Sequence, residues 1–292
     1  MSEVLTADQI AGFWRDGVLV VPDAVSPELL GRLQAEFNGW VKESIAYSEP
    51  YGECIDGRAR FDLAPGHTSE VPALRRVQAP SEVSDAYLQA LSNSRMTQMV
   101  ADLIGPNVKS HHNKINSKLP RSRVTVKWHQ DFPFTPHTNS DLVTALLMVD
   151  EVTSDNGPLE VAPGSHREGL HSLWHDERFT GAVAVEVAES LQGRAVQATG
   201  PAGSVCLMHT CLAHGSKPNL TPLPRTLFIC VYSAADAVPC TLNPVPNAHE
   251  GLVVAGTDPG TVRATPFSVR RPEYPKNVSF FSQQSASERN QS

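Results

Sequence analysis

Residues 124–134 read Val-Thr-Val-Lys-Trp-His-Gln-Asp-Phe-Pro-Phe. The β-branched and apolar residues up to Trp128 favour a strand, and Phe132-Pro133 marks its end. In a strand, residues two apart point to the same face, so His129 and Asp131 can aim a ring nitrogen and a carboxylate oxygen at one point. Further short apolar runs lie on either side, at 108–115, 142–149, 159–161, 204–208 and 226–232, separated by Pro, Gly, Asn and Asp turns. That spacing predicts an all-β sandwich or barrel, not βαβ units.

Upstream of this region the chain reads as helical. Thr6 can cap a short helix carrying Ile10, Phe13 and Trp14, which Gly17 ends, and a brief strand at 18–21 follows. Ser26-Pro27-Glu28 reads as an N-cap, a proline at the first helical position and an acid in the first turn. Leu29, Leu30, Leu33, Phe37, Trp40 and Val41 then fall on one face, as expected of a packing helix. Residues 47–80 are rich in Gly, Pro and charge and read as one long loop. One amphipathic helix is expected over 83–104, stopped by Gly105-Pro106, and the Ser/Gln-rich tail after Phe281 is expected to fray. Helices leaning on a β core, within one domain, is the expected architecture.

Composition narrows the functional classes. The chain has 292 residues with 40% hydrophobic and 19% charged, enough to bury a large core. A net charge of −7 gives no general basic field for nucleic acid or an anionic membrane. No apolar run approaches the roughly 20 residues of a membrane span. Residues 1–10 carry no charged-then-apolar leader, so no signal peptide is expected. The five cysteines, with no C-x-x-C pair, read as reduced thiols in a cytoplasmic protein and not as a disulfide frame or zinc site.

A His-x-Asp pattern alone arises often by chance, and a lone histidine is usually structural. The downstream residues change the weighting. His214, in the segment Cys211-Leu212-Ala213-His214-Gly215-Ser216, is the best third ligand for His129 and Asp131. Two histidines and a carboxylate on one face leave the opposite coordination positions open, as in non-haem Fe(II) oxygenases. Arg225 follows at the start of the next strand. If that strand pairs with the one carrying His214, the guanidinium enters the same cavity, where a carboxylate is its best bidentate partner. Ser216 offers a hydroxyl to the same anion.

With these residues in place, the sequence resembles the phytanoyl-CoA dioxygenase family of Fe(II)/2-oxoglutarate-dependent oxygenases. The resemblance rests on W-H-Q-D at 128–131, D-N-G-P-L-E-V-A-P-G-S-H at 155–166, G-P-A-G-S-V at 200–205, H-G-S-K-P-N at 214–219, and Arg225. It implies a mainly β protein with flanking α, a double-stranded β-helix (jelly roll, cupin-like) core with N-terminal helices. The partition would be a helical flank and loop at 1–106, the core at 107–235 and a C-terminal extension at 236–292, all in one oxygenase domain. It also implies that His129, Asp131 and His214 bind Fe(II), that Arg225 and Ser216 hold the distal carboxylate of 2-oxoglutarate, and that O2 is consumed, with ascorbate as an activator. Asn116 matches a position that contacts the cosubstrate. Where relatives often place an aromatic after the first two ligands, this chain has Thr144, a polar replacement beside the cosubstrate. Asp131 is retained, whereas related halogenating enzymes replace it with a small residue, so hydroxylation of a C–H bond with release of succinate and CO2 is expected. His166 reads as a non-ligand.

The expected partner is a small-molecule substrate, and the sequence does not specify an oligomeric state. Family members act on acyl-CoA thioesters, amino-acid derivatives, phosphonates and natural-product skeletons. Substrate-side candidates are His112, Lys114, Lys118, His137 and the segment with Arg58, Arg60 and Phe61. His111 and His112 are adjacent in a strand, so at most one points inward. The basic residues Lys109, Lys114, Lys118, Arg121, Arg123 and Lys127 suit either an anionic substrate or a solvated face. Two alternatives keep the same scaffold: a cupin-like metal enzyme that does not use 2-oxoglutarate, and a non-catalytic small-molecule binder.

Overall fold

The computed structural model describes residues 4–122 and 124–273, so Arg123 and the tail after Phe281 lie outside the described residues. Helix α1 (Ala7–Asp16) begins with a reciprocal cap: the Gln9 N–H donates to the Thr6 hydroxyl, and the Thr6 N–H donates to the Gln9 side chain. Gly17, at φ 79°, closes the helix in the left-handed region that glycine adopts without strain. The chain continues into β1 (Val18–Val21) and α2 (Pro27–Glu43), where Ser26 caps the helix and Leu29, Leu33 and Phe37 are buried.

The expected loop at 47–80 is instead largely sheet. Strands β2 (Tyr51–Glu53), β3 (Ala59–Leu63) and β4 (Leu74–Gln78) form an antiparallel meander in which Tyr51 faces Phe61 and Phe61 faces Val77. Each is short, and charged residues interrupt each pattern, so pairing rather than local preference makes them strands. Phe61 is core, stacked on Tyr51, and Arg60 is buried in an ion pair with Glu82 at 2.6 Å; neither lines the cavity between the sheets. The expected helix at 83–104 is two helices, α3 (Asp85–Ser92) and α4 (Arg95–Ile104). Asn93 leaves the helical region, and the Ser94 N–H, donating to Thr97 Oγ1, restarts the second helix. The apolar periodicity runs through the break because both helices bury the same side.

The remainder supplies β5 (Val108–Lys118), β6 (Val126–His129), β7 (Leu142–Met148), β8 (Leu159–Val161) and a small hairpin of β9 (Trp174–His175) and β10 (Arg178–Phe179). Then come α5 (Val185–Gln192), β11 (Val196–Ala198), β12 (Val205–His209), β13 (His214–Ser216), β14 (Arg225–Ala234) and β15 (Val253–Ala255). Apart from the β9–β10 hairpin, the strands build two antiparallel sheets, β1-β12-β7-β14-β5-β4-β3-β2 with β15 on β5, and β11-β8-β13-β6. This is the cupin-like jelly roll, with α1–α4 packed on the outer face of the larger sheet and α5 against the smaller one.

Alternation along β14 shows how the core divides. Phe228, Cys230 and Tyr232 point outward, into a cluster with Phe13, Tyr87, Met96 and Met99 from the helices. Leu227 and Ile229 point inward with Leu146 and Met148, towards the smaller sheet. One correction concerns Arg225. Its strand pairs with β5 and β7, while His214 lies on β13 between β6 and β8 in the other sheet. The two residues therefore meet across the sandwich, not as strand neighbours.

Candidate metal centre and cosubstrate cavity

His129 ends β6 and faces His214 of β13 in register. Gly215 allows these strands to close together, because a Cβ there would lie 2.8 Å from the Val126 carbonyl oxygen. Asp131 follows at the entrance to a 3-10 turn, Phe132–Phe134. The Nε2 atoms of His129 and His214 lie 3.7 and 3.6 Å from Asp131 Oδ1. One ligand atom from each of the three residues lies within 4.8 Å of the others, the only such His/Cys/Asp/Glu group among the described residues.

The protonation pattern suits a divalent cation. His129 Nδ1 meets the Lys127 carbonyl at 2.8 Å, and His214 Nδ1 meets the Leu212 carbonyl at 3.0 Å. Carbonyls only accept, so each Nδ1 carries a proton and Nε2, on the Asp131 side, is the nitrogen each ring can offer to a metal. Burial, reinforced by neighbouring His214, pushes the pKa of His129 down to about 3, so its ring is neutral. Burial raises the Asp131 pKa, but His214, His129, Lys114 and the Thr144 hydroxyl outweigh it and leave it lowered. Two imidazole nitrogens and a carboxylate oxygen converging on one point form a donor set that a cation completes. Thr144 donates to Asp131 Oδ2 at 2.7 Å, fixing the carboxylate from behind.

The triad opens on a cavity of about 560 Å³ between the two sheets. Ser216, Thr144, Asn116 and Arg225 all line it. Arg225 is 3% exposed; one Nη donates to the Gly157 carbonyl, and Nε has no partner among the described residues. Burial pulls its pKa down to about 10, partly offset by Asp150. Lys118 sits opposite Arg225 in the β14–β5 register and donates to the Lys217 carbonyl. Asn116 accepts from Arg76 Nε at 3.1 Å, and its row of the sheet lies between Arg225 and the metal-ligand candidates.

Other sequence candidates sort by strand alternation. His112, Lys114 and Lys118 face the cavity, while Lys109 pairs with Asp258 outside it and Arg121 is exposed. His111 packs on His137 and contacts Glu250 at 3.6 Å, and His137 is held by the Thr135 carbonyl, so neither lines the cavity. His166 meets the Trp14 carbonyl and lies away from the triad. Arg58 lines the mouth, bonded to Asp56 and to the Pro244 carbonyl at 2.7 Å. Arg76 was not anticipated, because it lies in the stretch read as loop; its register with Asn116 is what turns it inward. Pro244 and Val245 bring the C-terminal extension to the same cavity.

The family profile described as phytanoyl-CoA dioxygenase (PhyH) matches residues 13–227. The chain belongs to the phytanoyl-CoA dioxygenase family. It is thus a 2-oxoglutarate-dependent non-haem iron dioxygenase using Fe(II), and neither an enzyme independent of that cosubstrate nor a mere binder. Among its family relatives is a probable alpha-ketoglutarate-dependent hypophosphite dioxygenase of Stutzerimonas stutzeri, 33% identical over 203 residues, 68% of this chain and 69% of the relative. An ectoine dioxygenase of Sphingopyxis alaskensis is 28% identical over 79% of this chain and 76% of its own length. Among solved structures, iron-bound EctD from S. alaskensis superposes with a TM-score of 0.65 at 25% identity, covering 92% of this chain and 88% of that one.

Proposed function

We propose that His129, Asp131 and His214 hold the Fe(II), that Arg225 with Ser216 anchors the distal carboxylate of 2-oxoglutarate, and that the enzyme hydroxylates a C–H bond of a small organic substrate. The observation that carries this is one cavity with three convergent donors on the side of the smaller sheet and a buried, incompletely paired guanidinium on the larger one. Iron, cosubstrate and O2 together supply the oxidising power, with the cosubstrate leaving as succinate and CO2.

The chain's own residues set the geometry. The triad lies along the cavity wall, so a metal ion held by it would be accessible from the cavity. Arg225 fixes the cosubstrate's far end, and its planar fork allows one orientation of that carboxylate. Leu146, Leu227 and Ile229 line the intervening surface and exclude water around the cosubstrate's methylenes. Asn116 and Thr144 act on this arrangement from its edges, Thr144 chiefly by holding Asp131. Retention of Asp131 favours hydroxylation, and the substrates named for ectoine and hypophosphite dioxygenases support a small one.

Residues 1–292 are read as one oxygenase domain in which the helical flank, the jelly roll and the C-terminal extension share this cavity. Five free cysteines, and no described helix long and apolar enough to cross a membrane, support a cytoplasmic location.

Anaerobic titration of the protein with Fe(II) and 2-oxoglutarate is the direct test. A visible metal-to-ligand charge-transfer band that needs both components is expected, followed by succinate release on admitting O2; its absence would sink the reading. Thr144→Val is expected to weaken Fe(II) binding roughly 10–100-fold, the usual cost of losing a group hydrogen-bonded behind a ligand. The same titration measures it, and unchanged affinity would mean that Asp131 is oriented by something else.

A further inference from the structure

Lys114 lies on the cavity face of β5, two residues from His112 and two from Asn116. Its ammonium makes no hydrogen bond or ion pair among the described residues, and the charges it feels are those of Arg76 and Asp131. The other charged groups of the cavity have named neighbours. Arg58 is paired with Asp56, Asp62 with Arg75, and Lys118 donates to the Lys217 carbonyl. His112 lies beside Lys114 on the same face, and its buried Nδ1 also lacks a partner among the described residues.

The charge balance sharpens what this means. On the reading above, Arg225 with Ser216 meets the distal carboxylate of the cosubstrate, one charge against one, and Lys118 beside Arg225 is already bonded to the Lys217 carbonyl. At the metal end, the dication, Asp131 and the near carboxylate sum to zero. Lys114, half-buried on the cavity wall near Arg76, is therefore a cation that the metal, Asp131 and the cosubstrate leave uncompensated. Beside it in the sheet stands Ile229, and Val231 stands beside His112, so one wall presents polar and apolar side chains to the same space.

We propose that Lys114, with His112 beside it, receives the acid group of an anionic substrate and so selects small acids over their neutral analogues. This rests on the iron and 2-oxoglutarate reading above. A lysine is a compact point charge without the planar fork of arginine, so it accepts carboxylates and phosphorus oxyanions alike.

The test uses full-length enzyme loaded anaerobically with Fe(II) and 2-oxoglutarate. Matched probes are presented in two arms: short carboxylic acids with their amides, and hypophosphite and alkylphosphonates with neutral methyl esters. Perturbation of the charge-transfer band and calorimetric Kd report binding, and succinate formation reports turnover. Acids of one arm are expected to bind and couple, and their neutral partners are not. Lys114→Met should raise the Kd of the preferred acid on the order of 100-fold, the effect of truncating one partner of a buried charge pair, while the Kd of 2-oxoglutarate stays within about threefold. Lys114→Arg should recover part of the loss, and Lys114→Gln replaces Lys114→Met should the latter fail to fold. Equal binding of amides or esters, no binding of any acid, or an equal loss of 2-oxoglutarate affinity in Lys114→Met overturns the assignment. A wild-type enzyme with no charge-transfer band would instead overturn the iron and cosubstrate reading on which it stands.

Discussion

His214→Ala is expected to abolish the charge-transfer band and all succinate formation while leaving the fold intact. The remaining donors, His129 and Asp131, come from one short segment and grip a cation from one side only. His214 is the donor that β13 brings from beside β6, and it closes the triangle. Its loss should exceed the roughly 10–100-fold effect expected of a residue one step behind the metal, such as Thr144. The cost to the metal-free protein should be modest, because the β13 backbone remains paired on both sides, to β6 and β8. The decisive comparison sets Fe(II) affinity against the metal-free melting temperature. A band that survives would place the iron elsewhere, yet no second group of three such side chains exists among the described residues.

The parts of this site that were legible in the sequence are those set by local chemistry. Thr6 and Ser26 announce their helices by capping, and the two-residue spacing of His129 and Asp131 marks two donors, although β6 ends at His129 and the turn that follows, not strand alternation, aims Asp131. Which strands pair was not legible. Alternation tells which face Arg225 occupies but not which sheet, so its strand was expected beside His214 when it lies across the cavity. The segment 51–78 shows the same limit. Val77 is paired with Ile115 of β5 and Phe61 is packed by Trp40 of α2, and local sequence preference holds no record of such distant partners. Arg76 followed the same segment out of view. The break at Asn93 was hidden for the opposite reason, since the apolar stripe continues across it and periodicity reads as unbroken helix.

Arg225→Met should separate cosubstrate binding from structural stability. In the metal-free protein, Arg225 is a buried guanidinium with an unpartnered Nε and a pKa drawn down by desolvation. Replacing an incompletely compensated buried charge with an apolar side chain of similar length is often neutral or stabilising, so the melting temperature should hold or rise. Cosubstrate binding should move the other way. Losing one partner of a buried, hydrogen-bonded charge pair costs about 2–5 kcal/mol, roughly 30- to 4,000-fold in the Kd of 2-oxoglutarate. Fe(II) affinity without cosubstrate should change little, because Arg225 lies across the cavity from the triad. Arg225→Lys should fall between, keeping the charge but losing the fork that matches a carboxylate. If Arg225→Met instead unfolds the protein, the residue is a structural partner of the Gly157 carbonyl and Asp150. If it folds and binds 2-oxoglutarate normally, the distal carboxylate is held elsewhere, and Lys118, its neighbour in register, becomes the group to test.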